Sequence, residues 1–210
     1  MSSEVRGGTS WKRFALLLVP GIAGTAAVGV GLAEGALAAS FSVSGQDFKV
    51  TADKLEGYDL IQYNGVAKGH DMDGKVSSNP VTISGFRQAK ITNMCQSLVT
   101  PVPGLGNITM KIHAGHKGSP ALAENLYLDV ADLDTTSSTF KDLDIGVAVG
   151  DPSHTTKPQA GTVQNPNAFS QRAKGAVLEG VKQRAWATTA GTFKLNNLNL
   201  QLLKGDSPCY

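Results

Sequence analysis

Cysteine, aromatic residues and catalytic signatures are all scarce in this chain of 210 residues. Cys95 and Cys209 are its only cysteines. Neither has a histidine close in the sequence, which argues against a nucleophilic or redox thiol. An even pair in an oxidising compartment reads instead as one disulfide. A loop that long stabilises a fold by roughly 4–5 kcal/mol in the chain-entropy picture. The nucleophile-elbow pattern G-x-S-x-G occurs nowhere, which removes the usual secreted hydrolase frame. A P-loop, a G-x-G-x-x-G after a strand and interleaved basic and aromatic residues are also missing, so the sequence gives nucleotide and nucleic-acid binding no support. No cofactor is implied. The net charge of +2 exerts no global pull on a polyanion.

What the chain does have begins at its N-terminus. Arg6, Lys12 and Arg13 precede an almost uncharged apolar run from Phe14 to Ala33, with Phe14, Leu18, Ile22, Val28 and Leu32 as its large members. The run is about the ~20 residues that span a bilayer as a helix, and the preceding cations place its start inside. Ala36-Leu37-Ala38 then supplies a small-x-small cleavage site. Residues 1–40 therefore read as a signal peptide, cleaved after Ala38 or Ala39, or as a retained membrane anchor. In both cases residues 41–210 form one extracytoplasmic domain.

From Phe41 onward the dominant pattern is alternation. Leu126, Leu128 and Val130, then Leu143, Ile145 and Val147, then Leu198, Leu200 and Leu202 each follow an Asn or Asp and alternate with other residues. Period two is the mark of half-buried strands. Further strands are predicted over Phe41–Val43, Phe48–Ala52, Tyr58–Tyr63, Val81–Met94, Ile108–His113 and Ala173–Thr189. The apolar phase slips by one between Phe140 and Leu143, and again between Leu195 and Leu198, as at a β-bulge. One short helix is expected near Ser119–Glu124, with Ser119 as its cap. Loops are expected over Lys68–Pro80, Thr100–Gly106 and Gly150–Asn167, the last as a solvated, flexible connection. The fold class is all-β: a curved antiparallel β-sandwich or β-roll, preceded by one N-terminal apolar helix.

Few residues qualify as chemistry. His113 and His116 could share a metal ion, but no further ligands stand beside them, and a site needs three or four. Surface histidines in a turn explain them. Asp71, Asp73 and Gly74 start like a calcium loop whose later ligands are missing, so a turn suffices. His116 and Ser119 are the nearest approach to a hydrolytic pair. Seven acidic residues between Glu124 and Asp151 contrast with basic residues from Arg172 to Lys204. These stretches form either two faces for self-assembly or neighbouring strands whose outward charges pair.

The Trp-Lys-Arg-Phe opening, the Gly/Ala-rich apolar segment, ASFSVSGQDFKVTADKLEGYDL, LYLDVADL and TFKLNNLNLQLLKG before the last cysteine together resemble an actinobacterial family of uncharacterised envelope proteins. The resemblance covers nearly the whole chain. Members are familiar from streptomycetes, are sometimes labelled cholesterol esterase, and are often found beside a small multi-pass membrane protein. It implies a membrane-proximal role but carries over no catalytic residue. The expected function is non-enzymatic binding or structure in the cell envelope, with a membrane protein or lipid as partner. Alternatives are a secreted lipid or sterol-ester hydrolase with a non-standard site, and a surface protein that self-associates.

Overall fold

The computed structural model describes residues 44–210. The membrane segment Phe14, Leu18, Ile22, Val28 and Leu32, and the strand expected at Phe41–Val43, lie outside the described residues. Nine strands and no helix are found among those described: β1 Phe48–His70, β2 Val76–Thr92, β3 Met94–Val102, β4 Gly106–Ala114, β5 Ala121–Asp134, β6 Ser137–Ala148, β7 Phe169–Thr189, β8 Thr192–Lys194 and β9 Asn199–Lys204. All pairings are antiparallel. The neighbour order is β6-β7-β5-β2-β1-β3-β4-β9, and β7 also pairs with β1. That extra pairing closes β1, β2, β5 and β7 into a ring. Beyond the ring, β6 extends one side and β3-β4-β9 the other.

Two of the expected loops are mostly strand. β1 runs to His70 and β2 starts at Val76, so the turn between them is residues 71–75 alone. Asp71 shapes that turn by accepting the Asp73 and Lys75 amides on Oδ1, at 3.0 and 2.8 Å. β3 likewise runs on through Pro101 to Val102. The expected helix at Ser119–Glu124 is absent, because β5 begins at Ala121 and pairs Leu122 and Ala123 with both β2 and β8. Ladder bonds on two edges outweigh a capped single turn.

The ring strands are not simply alternating. Inward residues on β1 are Val50, Ala52, Leu55, Gly57 and Leu60, and on β7 they are Ala173, Ala176, Leu178 and Val181. Steps of two and three follow each other, so the pattern repeats every five residues. Several three-residue steps are made at a residue with left-handed backbone: Asp59 (φ 53°), Asn93 (53°), Asn125 (49°), Asp142 (50°) and Gly180 (58°). One positive-φ residue turns the pleat over, so the next side chain faces inward one position late. These positions line up between strands. Asn125 on β5, Asp59 on β1 and Asp142 on β6 alternate with Arg87 on β2 and Lys174 on β7 in a row across the sheet. Ion pairs staple it, Arg87–Asp59 at 2.6 Å and Lys174–Asp142 at 3.3 Å. A second row holds Gly180, Asp53 and Asn93, where Asn93 Nδ2 donates to Asp53 Oδ2 at 3.0 Å.

Packing inside the ring uses size matching. The row Ala176, Gly57, Ala89 and Ala123 is small throughout, and Phe86 lies over it. A Cβ on Gly57 would fall 2.2 Å from the Phe86 ring.

The disulfide joins Cys95 and Cys209 with Cα atoms 6.0 Å apart. It fastens the segment after β9 over β3 and β4. Around it, Cys209 N donates to Ser97 Oγ (2.9 Å), Thr109 Oγ1 to Gly205 O (2.7 Å) and Asn107 Nδ2 to Asp206 Oδ1 (2.8 Å). In three dimensions a histidine does stand near a cysteine: His113 Nε2 is 3.9 Å from Cys95 Sγ, because the two face each other across β3 and β4. The sulfur is already committed to the bridge.

Two outcomes check this account. Asn125→Val should cost about 1–2 kcal/mol because a β-branched residue resists left-handed backbone, while Asn125→Gly should stay within a few tenths; urea midpoints of both variants measure it. Replacing both cysteines by serine should lower stability by roughly 2–5 kcal/mol and open the bond after Lys204 to trypsin, as native-state proteolysis would show.

Candidate functional site

Three places can be weighed as a site: the long connection on the outer face, the charged cleft beside it, and the ring interior.

The connection between β6 and β7 is not a free loop. Val149 and Val163 pack with Ile61, Tyr63, Ile83 and Ala187 on the outer sheet face, beside Tyr127 and Trp186. Two tyrosines tie it down. Tyr63 Oη accepts the Gln159 amide (2.9 Å) and sits 2.6 Å from Thr162 Oγ1. Since Thr162 spends its own proton on Gln159 O (2.6 Å), Tyr63 is the donor to Thr162. Tyr127 Oη donates to Lys157 O at 2.8 Å, and Thr156 Oγ1 donates to Asp59 O. The expectation of a flexible, solvated connection is thereby overturned: the outer face is apolar here, and the strap covers it. Burial pushes the Tyr63 hydroxyl up to about 12 and raises that of Tyr127. Asp129, on β5 between Ile83 of β2 and Ala187 of β7 and 5% exposed, has its carboxyl raised by burial from 3.8 to about 6.

The strap also contains the one buried Ser–His contact among the described residues. His154 Nε2 lies 2.9 Å from Ala148 O and 3.3 Å from Ser170 Oγ. A carbonyl only accepts, so Nε2 carries the proton. Ser170 Oγ gives its own proton to Val147 O at 2.8 Å. The ring therefore does not take the hydroxyl proton, and general-base activation fails at its first step. His154 Nδ1 is buried without a partner among the described residues. His116 and Ser119 meet through their backbones, Ser119 N donating to His116 O at 3.3 Å, and no side-chain hydrogen bond joins them. His113 is at the Cys95 bridge, as described. Among the described residues no three His, Cys, Asp or Glu side chains gather in a group that could hold a metal ion.

The charged cleft, about 540 Å³, lies between the strap and the β1, β7 and β6 side chains Asp59, Lys174, Arg172, Asp142 and Asp144. Its charges are mutually spent. Arg172 Nε bonds Asp144 Oδ2 at 2.9 Å and Lys174 bonds Asp142. Arg172 also reaches Ser153, which caps Asp151, and the Ser153 hydroxyl and amide hold the Asp151 carboxyl below its usual range. The acidic β5–β6 stretch thus faces the basic β7 strand, with Asp132 opposite Arg184 and Asp134 opposite Lys182. Ion pairs between the two blocks form on β6 and β7, at Arg172–Asp144 and Lys174–Asp142, while Arg184 bonds Asp47.

The ring interior is different in kind. A cavity of about 130 Å³ is lined by Leu55, Leu60, Phe86, Leu128, Val130 and Leu178, with Leu133 and Phe140 at its edge. These last two are 39% and 36% exposed, so the cavity reaches the surface at the β5–β6 bend. A second pocket of only about 20 Å³, which Gln96 and Thr188 also line, lies toward Met94 and Phe193, and Leu55, Leu128 and Gln183 line both. The inward apolar face then runs out onto the uncovered sheet. Leu200 is paired with Ile112, and Leu202 with Met110 and through it Leu98. Leu198, Leu200 and Leu202 are 53–70% exposed. The lining also has polar members that alternation alone does not single out: Gln62, Ser84 and Gln183 stand in the inward phase. Their signal in the sequence is a polar residue where the five-residue pattern calls for an aliphatic one, and it is readable only once the phase slips are known.

The buried Asp129 gives a pH signature. Its folded pKa lies above its unfolded one, so its contribution favours the fold at low pH and is lost as pH rises through about 4 to 6. Asp129→Asn should raise stability at pH 7 by up to about 2 kcal/mol and change little at pH 3.5; thermal melts at both values measure this.

No curated protein and no solved structure matches this chain at a significant level. A family model does, over residues 44–210, which is the whole described β-structure including the strap, the ring and both cysteines. The chain belongs to DUF6230, a family of unknown function.

Proposed function

We propose that this protein is a non-enzymatic binding protein of the extracytoplasmic envelope, which holds an apolar chain of lipid type inside its strand ring. The observation that carries the reading is the interior cavity that opens past Leu133 and Phe140. Protein interiors normally fill such space, and a mainly apolar cavity of this size accepts small hydrocarbon groups. Burial of chain methylenes supplies about 0.8 kcal/mol each. The uncovered leucines of β9 extend the same face and suit transfer from a membrane, where the N-terminal segment is expected to lie. The absence of an activated nucleophile at His154–Ser170 and at His116–Ser119 gives ester hydrolysis no residue to start from.

The test is lipid uptake. Full-length protein stripped of lipid is incubated with phosphatidylcholine vesicles, re-isolated and extracted for mass spectrometry. About one lipid per chain is expected, and Leu133→Asp at the cavity mouth should reduce loading severalfold. Protein that re-isolates free of lipid would end the reading.

A further inference from the structure

Gln183 is a polar side chain inside the ring for which the sheet supplies no hydrogen bond among the described residues. It is 5% exposed and stands on β7 between Leu133 and Val50, where its strand neighbours in the inward phase are Val181 and Leu178. No hydrogen bond to its amide is formed among the described residues. Two other polar residues of the larger cavity are bonded within the sheet: Gln62 Nε2 donates to Ser84 Oγ at 2.9 Å, and Gln171 donates to Gln62 Oε1. A leucine would complete the apolar pattern at 183 and remove an amide that forms no hydrogen bond among the described residues, a group that proteins normally pair. Gln183 also lines both interior cavities, at the place where they meet.

Resting on the lipid-chain reading above, we infer that Gln183 is a specificity residue that donates its amide N–H to a neutral carbonyl part-way along the bound chain. The ligand class is therefore an acyl ester, neither a plain hydrocarbon nor a free fatty acid. Position sets the first half of this claim: Gln183 is the cross-strand partner of Leu133 at the cavity mouth, so a chain that enters there and fills the larger cavity presents its interior, not its tip, to Gln183. Charge sets the second half. No Lys, Arg or His lines either cavity, so a carboxylate would be desolvated there without a counter-ion, which is strongly unfavourable. An ester carbonyl needs one donor, and Gln183 has it.

The experiment uses full-length protein with labelled leucine and valine methyls, titrated at pH 7 with decane, methyl nonanoate and decanoic acid and followed by NMR. Methyl nonanoate should bind about tenfold tighter than decane, the worth of one good hydrogen bond, and decanoic acid more weakly than the ester. Gln183→Leu should erase the ester preference, keep decane affinity, and raise the melting temperature of the empty protein. Gln183→Met repeats the comparison with a flexible apolar side chain and guards against a local packing fault. Decane binding with no ester preference, or a preference that survives in both variants, overturns the role of Gln183 and leaves the cavity reading standing. No binding of either decane or ester removes both.

Discussion

A left-handed residue inside a strand turns the pleat over, and the rest of this molecule is arranged around that constraint. Each turn-over delays the next inward side chain by one position. In alternate strands it happens at matching places, and the strands between them, at Arg87 and Lys174, also step by three, from Phe86 to Ala89 and from Ala173 to Ala176, so the whole sheet changes phase together. A slip in one strand alone would put its leucines on the wet face while its neighbours stayed buried. The rows Asn125–Arg87–Asp59–Lys174–Asp142 and Gly180–Asp53–Asn93 are where the strands agree. Asn, Asp and Gly take these left-handed positions because they alone adopt that backbone at small cost. The charges that alternate along the first row face outward and pair, holding neighbouring strands in register at the places where the ladder itself is interrupted.

Closure of the ring follows from long strands that bend. β1 pairs with β2 on one edge and β7 on the other along most of its length, and β5 bridges the two remaining edges. The interior so made is narrow, and small residues fill its tightest row while larger ones line the space on either side. Where the lining reaches Leu133 and Phe140 the filling stops short and a cavity remains. The outer face has the opposite problem, an apolar patch with no second sheet to cover it. The strap from residue 149 to 168 solves this with Val149, Val163 and a set of hydrogen bonds to Tyr63 and Tyr127, and it buries Asp129 and His154 in doing so.

Much of this arrangement is legible in the amino-acid order. The Asn/Asp-Leu phrase at 125, 142 and 197 marks left-handed residues at all three sites, and the phase slips after Phe140 and Leu195 coincide with two of them. The single disulfide and the all-β class also follow from counting and alternation. A helix at 119–124 is suggested by a cap and a proline, but these are local signals, and the partners that claim Leu122 and Ala123 are far away in sequence. The strap misleads for a similar reason. Its prolines and glycines describe an irregular backbone, and nothing local tells whether such a backbone lies in water or on an apolar face. Gln183 does not stand out in the sequence because alternation at period two puts it on neither face consistently.

By itself the sequence determined the class of structure, the cross-link and two of the places where strands turn over, at Asp142 and Asn197, since these depend on what a residue's own backbone and immediate neighbours allow. The tertiary structure decided which strands meet, that four of them close on themselves, that Asp142 and Asp144 pair with the basic strand, and that a glutamine amide lines an otherwise mostly aliphatic interior. Those outcomes depend on contacts between residues scores of positions apart, whose register is fixed only when all the strands are in place together.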